Sequence, residues 1–393
     1  MGWQWRPLTD LARLESGHTP SRRHPEYWGG TIPWLSIPDA KKHHGGAIET
    51  TDNSTNDLGI ANSSARLLPA GTVCLSRTAS VGYVVVTATP MATSQDFVNW
   101  ICGDELEPRF LQYLLIAEGT ELLRFASGAV HKTIYFPEVK AFHVCVPSVS
   151  EQQRIVAILD EAFEAIATAK ANAEKNLQNV PELFDSQLVA ILSDKGEAWP
   201  RKTLQEVATD FGRGKSKHRP RNDPKLYEGP FPFIQTGDVR NSNHLITRFT
   251  QTYSEEGLAQ SKLWPKGTLC ITIAANIAET GVLDFDACFP DSVIGVVVDP
   301  GQTTSKYVEY MLRTVKADLK AKGKGSAQDN INLATFENER FAFPDISTQA
   351  SMVERLDELS FEVKHLESMF ANKLTALDEL KKSLLHQAFT GQL

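Results

Sequence analysis

The stretch "GSAQDNINLATFENERFAFPDIS" (Gly325–Ser347) stands just before the last long helix-like segment of the chain. At a distance of 197 positions towards the N-terminus, "GAVHKTIYFPEVKAFHVCVPSVS" (Gly128–Ser150) stands just before another. Ile134 falls on Ile331, Val139 on Phe336 and Pro147 on Pro344. The chain therefore writes one junction twice, and the order mixed domain, long helix, mixed domain, long helix follows from it.

The helical segments are read from their period. From Gln152 to Leu192, Ile155, Leu159, Ile166 and Leu177 belong to an apolar set that advances by threes and fours. From Ala350 to Phe389, Met352, Leu356, Val363, Leu366 and Leu377 do the same. Spacing near 3.5 with charged residues between predicts a long helix with one apolar seam. A solitary exposed helix of that kind is unstable, so each needs a partner, and the other copy is the nearest one. Pro181 interrupts the first segment. Proline removes a helix hydrogen bond and clashes with the preceding turn, which predicts a kink or break near Val180.

The mixed regions repeat too. "LLPAGTVCLSRTASVG" (Leu67–Gly82) matches "LWPKGTLCITIAANIA" (Leu263–Ala278), and "TIPWLSIPDAKK" (Thr31–Lys42) matches "PFPFIQTGDVRN" (Pro230–Asn241). Short strands, turn signals and amphipathic stretches indicate α+β domains. The expected fold is two similar mixed domains separated by two long antiparallel, coiled-coil-like helices, with an internal pseudo-two-fold and a cyclic arrangement. The expected boundaries are 1–150, 151–195, 196–346 and 347–393, with the two chain ends close together.

The 393 residues carry a net charge of −8, unevenly spread. Residues 1–150 hold 12 basic and 14 acidic side chains and residues 199–346 hold 19 and 18. The helical segments hold 4 against 9 and 5 against 7. Acidic helices point to a protein partner rather than to phosphate. No apolar run is long enough to span a membrane, and the N-terminus lacks the basic and apolar regions of a secretory leader. Five scattered cysteines read as reduced thiols, so a cytoplasmic location is expected.

Enzymatic motifs are thin. "PDAKK" (Pro38–Lys42) has the carboxylate-x-Lys of metal-dependent nucleases, but its partner "GDVRN" replaces Lys41 by Arg240, so a turn aspartate is the better reading. "GRGKS" (Gly212–Ser216) lacks the first glycine of a phosphate loop, whose place is taken by Thr209. No Cys-x-x-Cys, His-Glu-x-x-His or Asn/Asp-Pro-Pro-aromatic motif occurs.

Taken in order, the strand-turn pairs "PWLSIPDAKK" and "PFIQTGDVRN", the "PAGTVCLSR" and "PKGTLCITI" segments and the glycine loops before "KTI" and "DNI" form a doubled pattern. The helix openings "EQQRIVAILDE" and "TQASMVERLDE" and the tail "LKKSLLHQAFTGQL" complete it. In this the chain resembles the specificity subunit of type I restriction–modification enzymes over essentially its whole length. The resemblance implies a non-catalytic DNA reader, each domain recognising one half of a bipartite, asymmetric target in double-stranded DNA. It implies two methylase subunits docked on the helices, and restriction (motor-nuclease) subunits joining them. No cofactor is expected here; S-adenosylmethionine, ATP and Mg would sit on partner subunits. The alternatives are a specificity subunit of a related methylase system, type IIB-like or another defence system, and a coiled-coil adaptor without DNA contact.

Arg, Lys, Asn and Gln read base edges, and Lys and Arg hold phosphates. On that ground the candidates in the first domain are Lys41, Lys42, Arg77, Gln95, His131 and Lys132. In the second they are Arg213, Lys215, Lys217, Arg219, Arg240, Asn241, Lys322, Lys324 and Gln328.

Overall fold

The computed structural model describes residues 2–78, 80–127, 132–193, 199–218, 220–274, 278–323 and 333–393. Two compact units make up the chain. The first comprises Met1–Glu174 with Asn372–Leu393, and the second Lys175–Ala371.

Each unit is built on a five-stranded sheet of one topology. In the first, the strands lie in the order Ala12–Ser16, Phe97–Cys102, Val73–Ser76, Val84–Thr87, Ala47–Ile48. In the second, the order is Ala208–Arg213, Val293–Val298, Leu269–Thr272, Thr280–Leu283, His244–Ile246. In both, three neighbouring pairs are antiparallel and the last is parallel. The central strands "VCLS" and "LCIT" are buried throughout. The turn before each takes positive φ at Gly71 (82°) and Gly267 (86°), where a Cβ would be strained. Thr72 and Thr268 close these turns by donating to the carbonyls of Pro69 and Pro265, at 2.7 and 2.6 Å.

The long helices are Val149–Leu192 and Ile346–Phe389. The first runs through Pro181 as one continuous helix, so the break expected there does not occur. Pro181 is exposed, while Val180, Phe184 and Leu188 are buried against Tyr310, Leu356 and Val363. An interior proline costs about 3 kcal/mol. Burying three such apolar side chains returns about 5–9 kcal/mol, so packing outweighs the lost bond.

Each unit holds half of both helices, paired in opposite directions. In the first unit, Arg154 donates to the carbonyl of Leu393, and Lys381 lies 4.9 Å from the ring of Phe163. Lys170 reaches Asp378 at 2.7 Å. Ile155 and Leu159 join the domain core with Leu385 and Ala388, Ile166 is buried, and Leu377 is half-buried. In the second unit Leu356 and Val363 are buried, and Leu177, Met352 and Leu366 are half-buried. Trp3 and Leu393 pack on the same core cluster, so both chain ends belong to one unit.

Domain and helix are joined by one polar device used twice. Gln152, fully buried, donates to the carbonyls of Pro147 and Glu105 and accepts from the amide of Glu107. Its repeat partner Gln349 donates to Pro344 and Gln302 and accepts from the hydroxyl of Thr303. Further along, Tyr113 and Arg109 bond Asp160, as Tyr310 and Lys306 bond Asp357. Changing Gln152 to Ala leaves the buried carbonyl of Pro147 without this donor, at about 1–3 kcal/mol, and takes a partner from the part-buried carbonyl of Glu105 and amide of Glu107. Urea denaturation should show the first unit unfolding at lower denaturant, with the second unit's transition unmoved.

Candidate nucleic-acid interface

In the first unit a polar edge forms where the segment after Gly17 crosses the ends of the central strands. Trp34 and Trp28 donate their indole N–H to the carbonyls of His18 and Ser21, at 3.2 and 3.4 Å. Arg22 lies 3.9 Å above the ring of Trp28 and 5.2 Å from that of Trp34, with its own surface exposed. Thr19 donates to the side chain of Gln95. Arg77 reaches the carbonyls of Gln95 and Ile134 at 3.1 and 3.3 Å and sits 5.0 Å from Phe136. Burial holds its guanidinium below the ordinary arginine range, opposed by the charges of Asp96 and Tyr135. Arg77 is therefore a strut of this edge, whereas Gln95 and Lys132 are exposed on it.

Lys41 and Lys42 end the helix Ile37–Lys42. Both are exposed and make no ion pair among the described residues. The turn after them faces the helix pair: burial first, then the charge of Lys381, lowers the pKa of His44. Asp39 of "PDAKK" is a cap, accepting from the amides of Ser36 (3.0 Å) and Asp52 (2.9 Å). Asp238 does the same for Gln235 at 2.8 Å. Both carboxylates are thus occupied by backbone. Among the described residues no cluster of three or more His, Cys, Asp or Glu could hold a metal ion.

The second unit builds the same edge with other chemistry. Arg213 donates to the carbonyl of Asp291 at 2.6 Å, and Arg221 makes two 3.1 Å bonds to its carboxylate. His218 is held by Asp223 and Gln260. Lys215 and Lys217 are exposed, with no ion pair among the described residues. Equivalence of the two edges follows from matching backbone bonds. The amide of Arg77 donates to the carbonyl of Asp96 as that of Ile273 does to Ser292. Buried Ile273 thus stands where the first unit has Arg77, and Asp291 where it has Gln95.

Arg240 and Asn241 are exposed at the end of the helix Thr236–Arg240. Arg240 lines a cavity with Asp185, His244, Glu309 and Arg313. There His244 contacts the buried carboxylate of Glu309 at 3.1 Å. The side chain of Lys322 and all of His131, Arg219, Lys324 and Gln328 lie outside the described residues. The structure thus brings together Arg77, Gln95 and Lys132 in one unit and Arg213, Lys215 and Lys217 in the other. Lys41, Lys42, Arg240 and Asn241 lie at the ends of the short helices Ile37–Lys42 and Thr236–Arg240.

Thr19 and Arg22 were absent from the candidates drawn from sequence. Their signal was available: "SGHTPSRRHPEY" begins at Ser16, 197 positions before Arg213, where "RGKSKHRPRNDP" begins.

A family model described as "Type I restriction modification DNA specificity domain" matches residues 1–178 and again 196–368. The chain belongs to this family. Among relatives of the type I specificity family, the MjaIX specificity subunit of Methanocaldococcus jannaschii is 29% identical over 201 residues, half of this chain and 46% of that protein. The HindI specificity subunit of Haemophilus influenzae is 34% identical over 200 residues, 48% of this chain and 42% of that protein. The matched stretch is thus under half the length of these relatives. The StySPI specificity subunit of Salmonella potsdam aligns with all of this chain and 89% of its own, at 20% identity. The solved HsdS subunit of Thermoanaerobacter tengcongensis matches with a TM-score of 0.71 at 18% identity, covering 100% of this chain and 97% of that one. A chain from work on assembly and conformational transition of the type I R-M system gives 0.75 at 18%, covering 100% and 98%. These two are likenesses of fold. No helix among the described residues is long and apolar enough to cross a membrane.

Proposed function

We propose that this chain is the DNA-reading subunit of a type I restriction–modification complex. Each polar edge takes one half of a bipartite, asymmetric target, and chemistry on DNA belongs to partner subunits. The observation that carries the reading is one backbone edge built twice with unlike side chains: exposed Gln95 against Asp291, framed by Arg77 in one unit and by buried Ile273 in the other. Two readers of the same shape and different hydrogen-bonding pattern suit two different half-sites. The acidic, largely exposed outer faces of the helices are the surface for two methylase subunits, with restriction subunits joining that core. S-adenosylmethionine, ATP and Mg then act on the partners, in the cytoplasm.

The test is co-expression with the cognate methylase, followed by sequencing of methylated adenines. Two unlike half-sites at a fixed separation are the expected result. Methylation at a single contiguous motif, or none above the methylase alone, would overturn the reading.

A further inference from the structure

We propose that Glu228 is a base-reading residue of the second unit, and that its carboxylate accepts a hydrogen bond from a cytosine N4 amino group in the major groove. The inference rests on the DNA-reading role argued above and names one contact within it.

Three observations carry it. The first is backbone strain in an unusual residue. Glu228 has φ +62°, a conformation that L side chains other than Asn and Asp adopt rarely. The second is the internal repeat. Tyr227 and Phe231 both face Tyr253 across a bulge, as Trp28 and Ile32 both face Thr55, so Glu228 is the counterpart of Gly29. Gly29 has φ +78°, and the same turn is free of strain there. The first unit shows that the fold at this turn asks only for glycine, so the glutamate is present for its side chain.

The third observation is the setting. Glu228 is exposed and lines a cavity with Asn222, Tyr227, Phe249, Thr250 and Gln251. Asn222 belongs to the segment that carries Lys215, Lys217 and Arg221, and Phe249 is 43% exposed. Glu228 makes no ion pair among the described residues. Amides, a hydroxyl and an exposed ring beside a basic segment are the groups that meet base edges. A carboxylate in that company is repelled by phosphate. Among the exposed groups of DNA, only exocyclic amino groups attract it, and Glu to cytosine N4 is the pairing its geometry favours. The glutamate therefore lowers affinity for DNA in general and raises it for one base pair.

The experiment uses the full complex with its methylase and compares wild type, Glu228→Gly and Glu228→Gln by mapping methylated adenines. Glycine fits this φ, so the melting temperature of the glycine variant should be unchanged or raised by ~1–4 °C. Wild type should require cytosine at one position of one half-site. Glu228→Gly should reduce discrimination at that position by about 10-fold or more, leaving the other half-site intact. Glu228→Gln, which can donate as well as accept, should shift preference there towards adenine. A wild-type complex that reads no bipartite target would sink the parent reading. A bipartite target unchanged in a stable Glu228→Gly variant would sink this inference alone.

Discussion

Four residues inserted after Glu174, together with four after Ala371, are expected to abolish methylation of the natural target and create a target with a longer unread spacer. The two points divide the units, and Lys175 and Asn372 lie 197 positions apart, the spacing of the repeat itself. Lys170 pairs with Asp378 close to both points, so the insertions fall opposite each other and leave the flanking contacts in register. Four residues add about 6 Å of helix and slightly more than one turn, which keeps the apolar seam nearly aligned. Against a base-pair rise of roughly 3.4 Å, the spacer should grow by one or two base pairs. Mapping of methylated adenines decides it. Unchanged spacing with intact half-sites would mean that the domains, not the helices, set the separation.

Replacing both Lys215 and Lys217 by Ala should weaken DNA binding by the assembled complex about 10- to 100-fold at moderate salt. Both lysines are exposed and lack an ion pair among the described residues, so their charge is available to phosphate. Arg213 and Arg221, by contrast, are engaged with Asp291. Each phosphate contact removed should lower the slope of log affinity against log salt by about 0.9, so the double variant should lose nearly two units of slope. Because phosphates carry no sequence, both half-sites should be weakened in proportion and neither altered. A changed motif at unchanged salt slope would make these lysines base readers instead.

Much of the architecture was legible because it is periodic and doubled. Seam positions such as Leu356 and Ile155 announce themselves by spacing, and "PAGTVC" and "PKGTLC" align without any structure. The continuity of the helix at Pro181 was not legible for a physical reason: local propensity sees the lost hydrogen bond but not Val180, Phe184 and Leu188 packed on either side of it. The polar edges were only half legible. Residue type singles out Lys215 and Arg77 equally, yet one is exposed and the other is bonded into the frame. Gln152 and Gln349 gave no signal as single residues, because glutamine is ordinary on a helix. Their importance comes from the carbonyls buried around them.

The division of both long helices between the two units has a consequence for biosynthesis. The first unit needs Leu385 and Ala388 to cover Ile155 and Leu159. Those residues come after the 197 residues from Lys175 to Ala371. At ~5–20 residues per second, a ribosome takes roughly 10–40 s over that span. Throughout it the nascent first unit carries a bare apolar stripe, while the second unit, contiguous in the chain, can close as soon as it emerges. Synthesis order thus reverses folding order: of the two units, the one made first is sealed last.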